Sequence, residues 1–308
     1  MAERAALPLS ADTPHGYLAK RHLAFLNDFL PERIAFSYRE LEAAEWIVET
    51  LLGMGYTWAD IAIQEFSMDD GHYSPRIRNP MHFFDIGSHA LRHYSQNIIL
   101  TLPGQRACTI IVGAHYDSLL YPGASDNASG VALLLESAQR MRELEPDYTI
   151  IYIFFGAEEV NLLGAFYYLA HLAEEMRDNI VLMINADVLF DGDTLVYAAG
   201  YRTASGVGED ERTRQVDRIA EDLNDRHDFG LTPLPNAINL SSDNMPFVYA
   251  GYTVLVLFGA EVSDGRFSLT VFHSARDDLH YLNANMPDRI PRATQAFSVF
   301  LEEVLLST

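Results

Sequence analysis

Histidine, aspartate and glutamate residues follow several apolar runs of the sequence, and these side-chain types bind divalent metal ions in proteins. Taken singly, each has an ordinary structural explanation, such as helix capping by Asp126 or interaction of Glu158 and Glu159 with a helix dipole. Together, two imidazoles and several carboxylates at one place are electrostatically unfavourable unless cations compensate them. We therefore expect a metal site formed by His115 and Asp117 after IIVGA, Asp126 in GASDNASG, Glu158 and Glu159 after IIYIFFGA, Asp187 after IVLMINA, and His273 in TVFHSARDD.

The metal that suits these side chains is zinc, because neutral histidine and carboxylate are common zinc ligands. Two zinc ions roughly 3.5 to 4 Å apart need a ligand that bridges them, and the two oxygens of a carboxylate do this. Asp126, in a glycine-flanked turn, is the candidate for the bridge. Cys108 is the only cysteine, so an intrachain disulfide and a thiolate zinc cluster are both excluded.

Apolar strands alternate with amphipathic helices from residue 107 onward. This alternation indicates a largely parallel sheet covered on both faces, and ligands bind such sheets at the carboxyl ends of the strands. The expected strands are ACTIIVGAH, YTIIYIFFG, NIVLMINAD, LVYAAG and YTVLVLFG, and the expected helices are 129–145, 159–175, 211–225 and 286–306.

Two helices, at 17–29 and 37–52, are predicted before the sheet, the second with a serine cap. Strands at 60–68 and 96–104 follow, separated by a long aromatic loop at 69–95 that is either a surface excursion or a cover for a substrate cleft. No stretch rich in proline, glycine or serine divides the chain into separate halves. We therefore expect one domain over 1–308, with the helices of 1–56 packed on it.

The charge balance limits the partners of this chain. It has 43 acidic and 21 basic residues and a formal net charge of −22, which argues against nucleic acid. Solubility is the ordinary explanation of such acidity, although a negative field also favours substrates with a free amine. No apolar stretch reaches the roughly 20 residues that span a bilayer, and the first residues lack the apolar core of a signal peptide. We expect a soluble chain, secreted after removal of a signal or cytoplasmic; the sequence does not indicate its oligomeric state.

Five motifs stand in one order between residues 110 and 282: H-x-D, G-A-x-D-x-x-S-G, A-E-E-x-x-x-x-G, a strand-terminal aspartate, and F-H-S. This order resembles the zinc aminopeptidase family that includes bacterial leucyl aminopeptidases and aminopeptidase Y, with glutaminyl cyclases as relatives. The resemblance implies a three-layer α/β/α sandwich around a mixed, mostly parallel sheet of the phosphorylase/hydrolase-like kind. It also implies a metallopeptidase of the exopeptidase type that removes N-terminal residues from peptides.

The resemblance also implies roles for the site residues. One zinc ion would be held by His115, Asp126 and Asp187, and the other by Asp126, Glu159 and His273. Glu158 would be the general acid and base, and Asp117 would accept a hydrogen bond from the His115 imidazole. Asp243, in SSDNMPF, would support the site from below. An oxyanion-binding hydroxyl stays unassigned among Tyr121, Tyr249 and Tyr252.

Three other functions fit parts of this pattern. A glutaminyl cyclase shares the fold and typically uses one zinc ion. A binding module that has lost its metals is disfavoured because all five proposed ligands and Glu158 are present. A carboxypeptidase or dipeptidase would direct an arginine at the substrate carboxylate, for which Arg202 and Arg276 are candidates.

Overall fold

One sheet of ten strands organises the part of the chain that the computed structural model describes, which is residues 13–73 and 92–307. The strands are β1 Ile61–Ser67, β2 Tyr94–Leu102, β3 Arg106–His115, β4 Tyr148–Phe155, β5 Ile180–Ala186, β6 Thr194–Thr203, β7 Gly206–Gly208, β8 Leu231–Pro233, β9 Val254–Ser263 and β10 Arg266–Ser268.

The strand order is β1-β2-β4-β3-β5-β9-β6-β7, with β10 paired to β9 and β8 paired to β6. The central strands β4, β3, β5 and β9 are parallel to one another. On either side the sheet turns antiparallel, at β2 next to β4 and at β6 next to β9. The predicted mixed sheet, parallel at its centre, is confirmed. Its parallel strands bring three loops to one edge, after His115, Phe155 and Ala186.

Helices cover both faces of the sheet. The helices are α1 Tyr17–Phe29, α2 Tyr38–Gly53, α3 Ser129–Met141, α4 Leu163–Ala170, α5 Glu174–Arg177, α6 Glu211–His227, α7 Met245–Ala250, α8 Leu279–Asn285 and α9 Arg289–Ser307. In the described ranges, none of them is both long and apolar enough to cross a bilayer.

Alternate residues of the central strands face opposite helical layers because side chains of a strand point to its two faces in turn. Ile110 and Val112 of β3 lie in the core that contains residues of α1, α2, α3, α6 and α9. Ile111, between them, lies in a second core with residues of α4 and α7. The continuous apolar strands therefore pack against helices on both faces of the sheet, which gives the predicted three layers.

Helix α1 is attached to the rest of the fold through a buried carboxylate. Glu136 of α3 is fully buried and accepts hydrogen bonds from the backbone amides of Gly16 and Ala19, both at 2.7 Å. The Arg140 side chain and the Ser298 hydroxyl of α9 donate to the same carboxylate. Amides of the first turn of a helix lack partners within the helix, so Glu136 satisfies two of them.

The single domain over 1–308 stays a prediction.

Several element boundaries differ from the sequence prediction. In place of one helix at 159–175, an irregular turn over 156–162 precedes the shorter helices α4 and α5. Ala157, Asn161 and Leu162 have positive φ angles of 52°, 61° and 61°, which interrupt a right-handed helix. Helix α3 ends at Met141, four residues before its predicted end.

The predicted loop at 69–95 is shorter at both ends. Residues Met68–Tyr73 form a 3-10 helix, and β2 begins at Tyr94. Residues 74–91, where a cover for the substrate cleft was considered, lie outside the described residues.

Candidate metal centre

The carboxyl ends of β3, β4 and β5 lie side by side and carry most of the predicted site residues. His115 is the last residue of β3, Glu158 and Glu159 follow β4, and Asp187 follows β5. The strands are buried and parallel, so their ends converge at one edge. His273 reaches the same place from the segment between β10 and α8.

Asp126 lies between the two histidines. Its Oδ1 is 3.1 Å from Nε2 of His115, and its Oδ2 is 3.1 Å from Nε2 of His273. Each oxygen of one carboxylate therefore faces a different imidazole, which is the arrangement expected of a bridging ligand.

The five proposed ligands form two groups that share Asp126. In the first group, His115 Nε2 is also 3.4 Å from Asp187 Oδ1. In the second, His273 Nε2 is 3.3 Å from Glu159 Oε2. Within each group the ligand atoms lie within 4.8 Å of one another. The first group is buried, whereas the His273 side chain is 39% exposed, so the second position borders the solvent.

The pKa values of the histidines reflect the surrounding negative charge. Burial alone lowers the pKa of His115, but the carboxylates of Glu158 and Asp187 outweigh it and raise the pKa well above its ordinary value. Burial also lowers the pKa of His273, but the carboxylates of Asp126 and Glu159 outweigh burial and raise the pKa to about 10. Both imidazoles lie in a field that attracts positive charge, from protons or from metal cations.

Burial and the same negative charges also shift the pKa values of the two glutamates. Burial raises the pKa of Glu158 well above its ordinary range, and the charges of Glu159 and Asp243 add to the shift. Burial and the charge of Asp126 raise the pKa of Glu159 to about 7. Ionising a carboxyl group that is buried away from water costs free energy unless a cation is close.

Buried ligand atoms without a hydrogen-bond partner test whether metal ions fit here. Nε2 of His115, Oε1 of Glu159 and Oδ1 of Asp187 are buried, and none has a hydrogen-bond partner among the described residues. Buried polar atoms are ordinarily paired, so unpaired acceptors that converge need a cation or a proton. A donor set of two imidazoles and three carboxylates fits two zinc ions.

Asp117 has a different main contact from the one the sequence suggested. Nδ1 of His115 is 3.1 Å from the backbone carbonyl oxygen of Asp117 and 3.5 Å from its carboxylate. The carboxylate instead accepts hydrogen bonds from the backbone amides of Glu158 at 3.0 Å and Glu159 at 3.1 Å. The carbonyl orients the imidazole, and the carboxylate holds the turn with the two glutamates.

The turn after β4 is held by side chains from other elements. The amide of Gly156 donates to Asn97 of β2, and the amide of Ala157 donates to Glu40 of α2 at 3.1 Å. With the two bonds to Asp117, four successive amides have side-chain acceptors. These acceptors stabilise a backbone with positive φ that directs Glu158 and Glu159 to the site.

Asp243, which we expected to support the site, is fully buried and interacts through charge with His115 and Asp187 of the cluster. Both its carboxylate oxygens lack a hydrogen-bond partner among the described residues. Burial raises the pKa of Asp243 well above its ordinary range, with a contribution from the charge of Asp187.

Two residues of the site neighbourhood were missed by the sequence prediction. Asp277 accepts hydrogen bonds from the amides of Ser125 and Asp126, and its position four residues after His273 was a signal. Arg33 is fully buried and donates to the carbonyls of Tyr116 at 2.7 Å and Gly123 at 3.1 Å. Arg33 stands between two helices, in a sequence context that gave no sign of this role.

Arg202 and two of the tyrosines considered for the site lie elsewhere. Tyr252 precedes β9, at the opposite edge of the sheet, and its hydroxyl donates to the carbonyl of Arg177. Arg202 is near the end of the antiparallel strand β6, with its guanidinium over the ring of Tyr249. Arg276, by contrast, is exposed three residues after His273.

Solved structures of other proteins have this fold. BSAP, a zinc aminopeptidase from Bacillus subtilis, is similar with a TM-score of 0.74 and 17% identity, over 96% of each chain. A glutaminyl cyclase from an Acidobacteriales bacterium is similar with a TM-score of 0.66 and 18% identity, over 98% of this chain and 99% of the other. These likenesses establish the fold that the two proteins share.

Sequence comparison identifies the family. The aminopeptidase YwaD of Bacillus subtilis is 33% identical over 143 residues, which are 46% of this chain and only 30% of YwaD. Residues 97–298 match the family described as peptidase family M28. This match covers more than half of the chain and all seven predicted site residues, so the expected membership is confirmed and the chain belongs to peptidase family M28.

Proposed function

We propose that this protein is an aminopeptidase that uses two zinc ions to hydrolyse the N-terminal peptide bond of peptides. The observation that carries the proposal is the position of Asp126, whose two oxygens each lie 3.1 Å from Nε2 of a different histidine. One zinc ion would be held by His115, Asp126 and Asp187, and the other by Asp126, Glu159 and His273.

Bound zinc would supply the Lewis acidity that lowers the pKa of a water molecule and polarises a peptide carbonyl. Glu158 takes the proton from the attacking water and delivers it to the leaving amine. Its buried carboxylate and raised pKa suit both steps, because the group holds a proton more readily than an exposed glutamate. Asp117 fixes the backbone from which Glu158 projects.

An aminopeptidase agrees with the charge around this site. The buried carboxylates and the net charge of −22 favour a substrate end that carries an ammonium group over one that carries a carboxylate. Arg202, one of two candidates for binding a substrate carboxylate, lies at the opposite edge of the sheet. Arg276 remains near His273, so a carboxypeptidase or dipeptidase is an outcome that the experiment must distinguish.

A peptide mixture tests the proposal. Free and N-terminally acetylated peptides, some beginning with glutamine, are incubated with the zinc-loaded protein, with and without a chelator, and products are identified by mass spectrometry. We expect chelator-sensitive, stepwise loss of residues from free N-termini only. Ammonia loss confined to glutamine peptides would identify a cyclase, and trimming from the other end would identify a carboxypeptidase.

A substitution tests the role of Glu158. Glu158→Gln keeps the shape of the side chain but removes the proton acceptor, so turnover falls by about 10²- to 10⁴-fold. Zinc content, measured by elemental analysis, stays at two ions per chain. Glu65→Gln, at an exposed position of β1, is the matched control and keeps full activity. Full activity of Glu158→Gln would contradict the assignment.

A further inference from the structure

The segment that carries His273 has no regular secondary structure. Residues 269–278, between β10 and α8, contain neither helix nor strand, and His273 itself has a positive φ of 51°. A backbone of this kind does not hold an imidazole in place through its own ladder of hydrogen bonds. The position of His273 must therefore depend on contacts with other parts of the fold.

On the amino-terminal side of His273 one buried carboxylate supplies these contacts, whereas on the other side Asp277 accepts hydrogen bonds from the amides of Ser125 and Asp126. Asp191 is fully buried and accepts hydrogen bonds from the amides of Thr270, Val271 and Phe272, the last two at 2.9 and 2.8 Å. The hydroxyl of Thr270 donates to the same carboxylate at 2.9 Å. Three successive amides immediately before His273 thus converge on Asp191.

Asp191 lies in a turn whose backbone is held by hydrogen bonds to other elements. The amides of Leu189 and Phe190 donate to the hydroxyls of Ser129 and Ser125, both at 3.1 Å. Gly259 lies so close that a Cβ there would come within 2.4 Å of the Asp191 carbonyl oxygen. The carboxylate is therefore anchored to the sheet and to the turn with Asp126.

We propose that Asp191 is a positioning residue that holds His273 for the second zinc ion, so that its loss weakens the second metal position selectively. Both oxygens of Asp191 are occupied by donors of the 270–272 segment, which leaves the carboxylate as a support and not as a ligand. The inference rests on the proposed two-zinc function.

The selectivity follows from how the two positions are built. His115 ends a buried central strand, and the amide of Asp187 donates to Leu257 of β9 at 3.0 Å. The first position therefore draws its ligands from the sheet and from Asp126. The second needs His273, and the three residues that precede His273 are attached through Asp191. Loss of an outer support of this kind costs about 10- to 100-fold in metal affinity.

A zinc titration tests the inference. The full-length protein is stripped of metal and titrated with zinc against a competing chromophoric chelator. The unsubstituted protein binds two ions per chain. Asp191→Asn retains the first ion at unchanged affinity and binds the second about 10- to 100-fold more weakly. Thr270→Val removes only the hydroxyl donor and weakens the second ion by about 3-fold, which keeps the test available if Asp191→Asn fails to fold.

Asp193→Asn is the matched control. Asp193 is two residues from Asp191, its side chain is 78% exposed, and it pairs with Arg289, so its substitution leaves both affinities unchanged. Equal weakening of both ions, or two ions bound at full affinity by Asp191→Asn, would overturn the inference alone. Fewer than two ions in the unsubstituted protein would overturn the proposed function and this inference with it.

Discussion

Two clusters in this protein, one around a single buried carboxylate and one with several, differ in how the carboxylate oxygens are satisfied. The capping cluster consists of Glu136 with the amides of Gly16 and Ala19, the Arg140 side chain and the Ser298 hydroxyl. In it, four donors lie between 2.6 and 3.0 Å from the two oxygens of one carboxylate. The charge of Glu136 is therefore balanced by a guanidinium and by helix α1, whose first turn presents positive partial charge.

The metal cluster consists of the five proposed ligands with Glu158 and Asp243. Acceptor atoms of Glu159, Asp187 and Asp243 have no hydrogen-bond partner among the described residues. Equally buried acids thus have opposite environments, one supplied with donors and one without them. Burial alone therefore does not indicate a functional carboxylate, whereas burial without hydrogen-bond donors does.

The largest expected effect is on stability, at the capping cluster. Glu136→Ala leaves Arg140 without its ion pair and two helix amides without acceptors, so the free energy of unfolding falls by about 4 kcal/mol. Glu136→Gln keeps part of the acceptor capacity and costs less. Urea denaturation measures both. Glu143→Ala, at an exposed residue, is the control, and a loss below about 1 kcal/mol for Glu136→Ala would show that the cluster contributes little.

Arg33 tests whether a cation stabilises the segment beside the metal cluster. Besides Tyr116 and Gly123, its guanidinium donates to the carbonyls of Leu30 and Pro122, at 3.0 and 2.8 Å. Arg33→Met removes these donors and a buried positive charge, and we expect a loss of about 3 kcal/mol in the free energy of unfolding. Arg33→Lys restores the charge without the planar donors. Equal losses for the two variants would assign the effect to hydrogen bonds and not to charge.

The residues proposed as ligands of the metal cluster could be selected from the sequence because they follow strong local patterns. Apolar strands are identified by their composition, and the first polar residue after each parallel strand must lie at the same edge of the sheet. His115, Asp187 and the pair Glu158 and Glu159 follow from this rule. The structure brings His115, Asp187 and Glu159 together with Asp126 and His273, and the charge of Glu158 acts on His115.

The supports of the cluster were not predictable in the same way because they join distant parts of the chain. Asp191 binds a segment 79 residues away, and Asp277 binds an amide 152 residues away. The predicted helix at 159–175 was wrong at its start for a related reason. Long-range acceptors such as Asp117 stabilise positive φ in the 156–162 turn, and local helix propensity does not include them.

Acid should destabilise the fold through His22 of helix α1, the helix that the capping cluster attaches. Burial lowers the pKa of His22 from 6.5 to about 4, although the charge of Glu136 opposes the shift. The unfolded chain therefore takes up a proton below pH 6.5 that the folded chain takes up only near pH 4, so stability falls as the pH falls through this window. Between pH 7 and pH 5 the expected loss from this group is about 2 kcal/mol.

His22→Phe tests the origin of that loss, because a phenyl ring preserves the edge-on contact with Trp46, whose ring centroid lies 5.8 Å from that of His22. Urea denaturation of both proteins at pH 7 and pH 5 gives the comparison. The groups of the metal cluster titrate equally in the two proteins, so their contribution cancels in the difference. A variant as acid-sensitive as the unsubstituted protein would exclude His22 as the cause.

The smallest expected effect is at Asp243, and it separates the two clusters most clearly. Asp243→Asn deprives no neighbouring donor of its acceptor, because neither oxygen of Asp243 has a hydrogen-bond partner among the described residues. Burial raises the pKa of Asp243 well above its ordinary range, so the amide replaces a carboxyl group that already favours its neutral form. We expect the free energy of unfolding of the metal-free protein to change by less than about 1 kcal/mol, against the larger loss for Glu136→Gln. The increase in stability on adding zinc should become smaller, because a nearby cation favours the ionised form of a carboxyl group and the amide of asparagine cannot ionise. Urea denaturation with and without zinc measures both quantities, and a loss in the metal-free Asp243→Asn protein as large as that of Glu136→Gln would mean that donors satisfy the two clusters alike.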